Sequence, residues 1–435
     1  MKTDLLSFKS GTNEADGGLP PEWKLIFPRD KKAPVARLAS HGGIPVIAAE
    51  GCCDCVGYLQ RETAAEPGRS YKMEATFKAV GGFDPYNSIF FTISTEDRAK
   101  NDGIFKYEKN ADGWIRGSCV FTVPEGECEK LLIKIFIKYV DSGRALIRSL
   151  TLSPCDPPPE RWVRVAVMNG MAKEWPTWDK ALDYAGSQNA DIALLTESFN
   201  LTYLPEEARG KAYSFMSEKA AKHGMYVSGT YYLNDASDGR FYNSQLIVGR
   251  NGEYVGHYYK NHPYDTEAYD FGICSGSEVP VFETDFGRVG CMICYDSWFT
   301  DVAELSSLKG AELLLFPAAG LYRRLMAARS ADNGLWVAMT SSGGGYGIWD
   351  PGGEEIFANK QDDPTMCSYL AGHFKDTAST KIDDLVDVGV ATIDLSKRNS
   401  PHNWGGPVFS SPGGRKARRQ QRTMLYDEIM DEYVL

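Results

Sequence analysis

The chain contains no apolar run of the about 18 residues that a membrane-spanning helix needs, so no segment reads as transmembrane. Basic charge is in deficit: 47 Lys and Arg stand against 58 Asp and Glu, a formal net charge of −11. That balance excludes the basic face a nucleic-acid partner requires. The one basic cluster, Arg415 to Arg422, is short and reads as a solvated or subunit-contacting tail. Histidine is scarce, and the six (41, 223, 257, 262, 373 and 402) form no HxxxH or HxH pair. The ten cysteines are too thinly spread for a disulfide scaffold, and Cys52-Cys53-Asp54-Cys55 has no second Cys or His pair at zinc spacing. The expectation is therefore no metal and no cofactor. An apolar signal core is missing near the start as well, where Lys2, Asp4, Lys9, Glu14 and Asp16 interrupt it. These absences together predict a cytoplasmic protein in a reducing compartment.

What is present suffices for two globular domains: 435 residues, 43% of them apolar and 24% charged. The composition changes at Pro154-Cys-Asp-Pro-Pro-Pro-Glu160, where consecutive prolines forbid helix and favour a stiff connector. This predicts a domain over residues 1–154, a linker over 155–161 and a second domain over 162–435.

The first domain reads as all-β. Apolar and β-branched runs recur at Tyr71 to Ala79, Ser88 to Thr95, Leu131 to Val140 and Ala145 to Leu152, with turn signals between them. Their rhythm, with a Trp114-containing hairpin and a closing strand, resembles the jelly-roll, galactose-binding-type β-sandwich modules attached to carbohydrate-active enzymes. The resemblance implies a possible glycan contact through exposed aromatics such as Trp114 and Tyr86; the bland alternative is that these rings fill or edge the sandwich.

After the prolines, strands alternate with helices. Val163 to Val167, Ile192 to Leu195, Tyr226 to Thr230, Ser244 to Val248, Gly290 to Cys294, Leu313 to Phe316, Trp336 to Thr340 and Val390 to Asp394 read as strands. Trp178 to Ser187, Pro205 to His223, Val302 to Lys309 and Leu325 to Asn333 read as helices. Such alternation implies α/β layers with functional residues at strand ends.

Three strand ends carry suitable chemistry: the carboxylate of Glu197 after Asp191-Ile-Ala-Leu-Leu-Thr, the amine of Lys260 after Gly256-His-Tyr-Tyr, and the thiol of Cys294 after Val289-Gly-Cys-Met-Ile. Acyl transfer from nitrogen needs a nucleophile, a proton carrier and a cation at the developing oxyanion. Cys291 lies an odd offset from Cys294, so on an extended strand its side chain takes the opposite face and belongs to the core.

Glu197, Lys260 and Cys294, in this order and among phrases such as Tyr242-Asn-Ser-Gln, Gly310-Ala-Glu-Leu-Leu-Leu-Phe-Pro317 and Asp350-Pro-Gly-Gly353, resemble the catalytic set of the nitrilase, or carbon-nitrogen hydrolase, superfamily over residues 162–396. The resemblance implies an αββα four-layer fold and cofactor-free hydrolysis. It makes Cys294 the nucleophile that forms a thioester, Glu197 the base, and Lys260 with the Tyr295 backbone N–H the oxyanion donors. Glu267 would position the amine; Asp296, Trp298 and His262 would shape the substrate pocket, Asp296 alternatively capping the following helix. Cys294-Tyr295-Asp296 is similar to the amidase-like branches, so the expected substrate is a small linear amide that releases ammonia or an amine. N-carbamoyl amide hydrolysis and nitrile hydrolysis are the enzymatic alternatives, and a catalytically silent glycan-binding protein is the rival from another class. The resemblance also implies a homodimer or larger oligomer, to which residues 409–435 could reach across. Residues 361–387 are longer than the family pattern and read as a lid or substrate loop.

Overall fold

The computed structural model describes residues 3–6, 18–28, 32–52, 54–83, 85–97, 101–104, 107–126, 129–140, 143–199, 206–207, 209–320, 322–359 and 374–396. The expectations for residues 409–435 and for the basic cluster at 415–422 fall outside them. The described residues sort into two compact units that meet in sequence at Pro158 and Pro159.

In the first unit, strand Ser70–Gly81 shows how the pattern becomes structure. Tyr71, Met73, Ala75 and Phe77 turn into the core, while Lys72, Glu74, Thr76 and Lys78 between them stay partly accessible. The strand's two-residue side-chain period sorts them. Ser70–Gly81 lies in one antiparallel sheet between Gly143–Cys155 and Ile115–Thr122. A second antiparallel sheet centres on Lys130–Lys138 between Val56–Ala64 and Ile89–Thr95. Leu131, Ile133, Ile135 and Ile137 of the second sheet share one core with Met73, Phe77, Ile147 and Leu150 of the first. Each such side chain removed from water contributes about 1.5–3 kcal/mol before its ordering entropy is counted.

Strand Gly143–Cys155 carries through Pro154 into the stretch read as linker. Trp114 is only 5% exposed, packed with Val46, Ala48 and Leu146 under the side chains of Lys78 and Arg148. It fills the unit rather than presenting a face to a sugar; the Tyr86 side chain is outside the described set.

The second unit is layered. Strand Trp162–Gly170 alternates between two cores: Val163, Val165 and Val167 face one, Ala166 and Met168 the other. Ile192 and Leu194 against Ala193 and Leu195 do the same on the neighbouring parallel strand. The core of Ala166 and Met168 is closed by Trp178, Ala181 and Leu182 of helix Trp175–Ser187 and by Ala212, Met216 and Ala220 of helix Lys211–His223. The core of Val163 and Val165 is shared with Leu313 and Leu315 of a second group of strands, Arg288–Cys291, Leu313–Ala318 and Trp336–Ser341, whose helices Asp301–Leu308 and Arg323–Asn333 add Val302, Ala303 and Met326. The helices and the two groups of strands thus form four layers, as the resemblance implies, and the groups join where Trp162–Gly170 pairs with Trp336–Ser341 at Asn169 and Ser341. None of the described helices is long and apolar enough to cross a membrane.

Three local expectations are corrected. The second helix starts at Lys211, with Gly210 extended before it, while Glu206–Glu207 is a short strand parallel to Tyr226–Asp235. Residues 374–387 are not a lid: Phe374–Ile382 pairs antiparallel with Val386–Asp394. The turn between them places Asp383 at φ 47° and Asp384 at φ 55°, left-handed values that Asp tolerates and that fit the twist of a tight hairpin. Residues 360–373 are outside the described set. The strand read as Gly290 to Cys294 ends at Cys291, which changes how the thiol is presented.

Candidate active site

Met292 still bonds the neighbouring strand, its N–H donating to Leu315 O at 3.1 Å, but Cys294 opens a 3₁₀ turn, Cys294–Trp298. Its φ is 41°, a left-handed conformation that costs a non-glycine residue of order 1–3 kcal/mol and must be held by its surroundings. Asp296 holds this turn. One of its oxygens accepts from Ile293 N–H at 2.9 Å and Tyr258 O–H at 2.8 Å; the other accepts from His262 N–H at 2.8 Å, with His262 Nδ1 at 3.0 Å. Cys291 is buried in the core, as expected, although the parity argument no longer applies because the strand stops there.

The sharp turn aims the thiol at two other strand ends. Glu197 follows Ile192–Leu194, its segment tied down by Ser198 N–H donating to Thr230 Oγ1 at 2.6 Å and Thr340 Oγ1 donating to Leu195 O at 3.0 Å. Lys260 follows Tyr254–Tyr259, its N–H donating to Asn243 O at 2.9 Å. Lys260 is 1% exposed and its Nζ donates to Glu197 Oε1 at 3.0 Å and to Glu267 Oε2 at 2.6 Å. Glu267, third residue of the helical turn Asp265–Tyr269, also accepts from Tyr264 N–H at 2.8 Å, as capping carboxylates do at that position. The Cys294 thiol contacts the Glu197 carboxyl, the Ala319 backbone and, at 3.8 Å, the Tyr322 hydroxyl.

Burial works against charge here. Desolvation, with Glu197 beside it, pushes the Cys294 thiol up to about 12, and the ammonium of Lys260 only partly offsets this. The thiol is therefore neutral near pH 7, contrary to the thiolate that a neighbouring lysine alone would favour. Burial alone would lower Lys260, but Glu197 and Glu267 outweigh it and hold the ammonium raised. Burial alone would raise Glu267; Lys260 and the hydrogen bonds from Tyr264 and Asn243 bring it below the ordinary carboxylate value.

Glu197, Lys260, Glu267, Cys294 and Tyr295 line one cavity of about 330 Å³. Its wall, among the described residues, does not include Asp296, His262 or Trp298, which were expected to shape it. Asp296 is fully buried and buttresses the 3₁₀ turn; His262 stacks on Phe299 at 3.9 Å and pairs with Asp296 and Asp301; Trp298 is 59% exposed and meets Tyr322 edge to face. Asn243 and Tyr322 are among the residues of the site that escaped the sequence reading. Asn243 Nδ2 bridges the carboxylates, donating to Glu197 Oε1 at 3.0 Å and Glu267 Oε1 at 2.7 Å. Tyr322, beside the thiol, lies just past strand Leu313–Ala318. Their signals were a buried amide within a strand and an aromatic after a strand end.

For metal ligation, the described residues offer Cys52, Asp54 and Cys55 in the first unit, with ligand atoms within 4.8 Å of one another. Asp54 already accepts from Cys52 Sγ at 3.0 Å and pairs with Lys32. Three donors, one of them ion-paired, leave a tetrahedral site incomplete.

Residues 163–370 match the carbon-nitrogen hydrolase family. A probable nitrilase of Schizosaccharomyces pombe is 39% identical over 107 residues, 24% of this chain and 39% of that protein. An omega-amidase of Xenopus tropicalis is 30% identical over 183 residues, 37% of this chain and 66% of that protein. The chain therefore spans less than two thirds of the length of these relatives. Among solved structures, a carbon-nitrogen hydrolase from Helicobacter pylori superposes with a TM-score of 0.47 at 16% identity, covering 62% of this chain and 99% of that one. Within the second unit, residues 163–370 are thus similar to carbon-nitrogen hydrolases, with an omega-amidase among the relatives.

Proposed function

We propose that the chain is a cysteine-dependent amidase acting on a small linear amide. The observation that carries this reading is the convergence of Glu197, Lys260 and Cys294 in one cavity, with Lys260 Nζ 3.0 Å from Glu197 Oε1 and the thiol in contact with the same carboxyl. Because the thiol is neutral, attack and deprotonation are coupled: as sulfur bonds to the carbonyl carbon, its proton passes to Glu197. Lys260 Nζ and the Tyr295 N–H would then face the developing oxyanion. Collapse of the tetrahedral adduct breaks the C–N bond, Glu197 returns the proton to the departing nitrogen, and ammonia or an amine leaves. Water, deprotonated by Glu197, attacks the thioester; the acid is released and the thiol restored. Glu267 positions the ammonium. The first unit is read as a jelly-roll-like sandwich appended to this hydrolase.

The test is ammonia release from a panel of amides, carbamoyl amines and nitriles by the wild type and Cys294→Ala, with intact mass to detect the acyl adduct. Full turnover by the variant, or no adduct from any compound, would refute the assignment. Carbon dioxide accompanying the ammonia would move it to carbamoyl substrates.

A further inference from the structure

Two cysteines of the first unit are placed as a dithiol at the corner where the chain changes sheets. Strand Ile44–Glu50 pairs with Gly143–Cys155 in one sheet, and the next strand, Val56–Ala64, pairs with Lys130–Lys138 in the other. Between them the Cys55 N–H donates to Cys52 O at 3.0 Å, which closes a tight turn. A turn of this kind brings its first and fourth Cα atoms within about 7 Å, and a disulfide spans about 4.4–6.8 Å. Both thiols are free, and the two sulfurs and the Asp54 carboxylate lie within 4.8 Å of one another. The corner is anchored on either side: Tyr139 N–H donates to Cys55 O at 3.0 Å, and Asp54 pairs with Lys32. Gly51 keeps the space beside Cys55 clear, since a side-chain carbon there would lie 3.2 Å from Cys55 Cβ and 3.8 Å from its Sγ.

The two thiols are unequal. Cys52 is partly accessible, whereas Cys55 is buried. Burial, and then Cys52 beside it, push the Cys55 thiol above its ordinary 9.0, with Lys32 acting in the opposite sense. A reagent in solution therefore meets Cys52 first, with Cys55 next to the product. A disulfide between them closes a ring of only four residues at a partly exposed position, and strained or exposed disulfides are the readily reduced ones.

We propose that Cys52 and Cys55 form a reversible intramolecular disulfide, made by exchange with a low-molecular-weight disulfide such as glutathione disulfide. In the first step the Cys52 sulfur attacks one sulfur of the reagent; that S–S bond breaks, a mixed disulfide forms on Cys52, and the proton Cys52 gives up ends on the departing thiolate. In the second, Cys55 attacks the Cys52 sulfur, loses its proton and releases the second thiol. Two electrons pass from the protein dithiol to the reagent, which leaves as two thiols. The test incubates the full-length chain, with a chelator present, in glutathione buffers of rising disulfide content, followed by acid quench, alkylation and peptide mapping. Trypsin places Cys52, Cys53 and Cys55 on the single peptide Leu38 to Arg61, so its reduced form takes three alkyl groups. The oxidised form is expected to carry one, on Cys53, and excess thiol should restore all three. Cys55→Ser should stop at one glutathione held on Cys52; Cys52→Ser should react about tenfold more slowly or less. Cys53→Ser should oxidise within about twofold of the wild type. Melting curves check that each variant folds, and the wild-type map needs no variant. Three alkyl groups at every ratio, an alkyl group found on Cys52 or Cys55 of the oxidised peptide, a glutathione retained by the wild type, or a disulfide that excess thiol does not reopen would each overturn the proposal.

Discussion

Alkylation of Cys294 by iodoacetamide should be slow at neutral pH and keep accelerating well into alkaline conditions. Its thiol is 8% exposed and pushed from an ordinary 9.0 up to about 12 by burial and by Glu197. Ionising it costs roughly 4 kcal/mol more than ionising an ordinary thiol, so at pH 7 its thiolate fraction is about 1 in 100,000 rather than 1 in 100. A more basic thiolate is intrinsically more nucleophilic, with a Brønsted slope of about 0.4–0.5, which recovers part of this deficit. The net expectation is alkylation about 30- to 60-fold slower at pH 7 than a model peptide thiol, before any effect of access. The log of the rate should rise by about one per pH unit from roughly pH 6 to 10 without a plateau. Peptide mass mapping after timed quenching reads the Cys294 adduct separately from the other cysteines. Glu197→Gln adds a sharper discrimination: it removes one group that raises the thiol, so alkylation should speed up while amide turnover falls. A plateau with its midpoint below about pH 8 would refute the neutral-thiol reasoning, because it would mean the lysine outweighs burial.

Lys260→Ala leaves two buried carboxylates facing each other and is expected to cost about 3–5 kcal/mol in urea unfolding; a loss under about 1 kcal/mol would show that the carboxylates relax without it. Asp296→Ala strands the Ile293 N–H and the Tyr258 O–H and should lower stability by about 2–4 kcal/mol and depress turnover through a disordered 3₁₀ turn; unchanged activity would exclude the buttress role. Glu267 is held below its ordinary value of 4.5, so its stabilising contribution is complete above that pH and fades as pH falls through the folded-state value. The stability gap between the wild type and Glu267→Gln, read from urea midpoints, should therefore be present at pH 7 and shrink steadily below pH 4.5; a gap that widens on acidification would contradict the sign.

Much of the site was legible because its chemistry sits where local patterns end. Glu197 and Lys260 each close an apolar or aromatic run, and such a run can be recognised as a strand without knowing its partners. Cys294 was legible as a residue but not in its presentation. Val289-Gly-Cys-Met-Ile-Cys294 stays apolar like a strand to its end, and the left-handed φ at Cys294 is held by Asp296 of the same turn, itself fixed by Tyr258 and His262 from other elements. Asp296 and His262 were read as substrate contacts for the same reason: a polar residue next to a nucleophile looks the same in sequence whether it faces the cavity or props the turn. Trp114 resembled an exposed hairpin aromatic until Val46, Ala48 and Leu146 covered it.

What the sequence determined by itself is what depends on residue type and on periods of two and 3.6: which segments are strands and helices, which faces are apolar, the break near the prolines, and the presence of a carboxyl, an amine and a thiol at three strand ends. Tertiary structure alone decided what depends on distances between residues far apart in the chain. It set Lys260 between Glu197 and Glu267, bridged the carboxylates through Asn243, and brought Tyr322 to the thiol. It also keeps the Cys294 thiol neutral despite the neighbouring Lys260. The cost of burying a charge follows from how completely all surrounding layers exclude water, and no single segment carries that information.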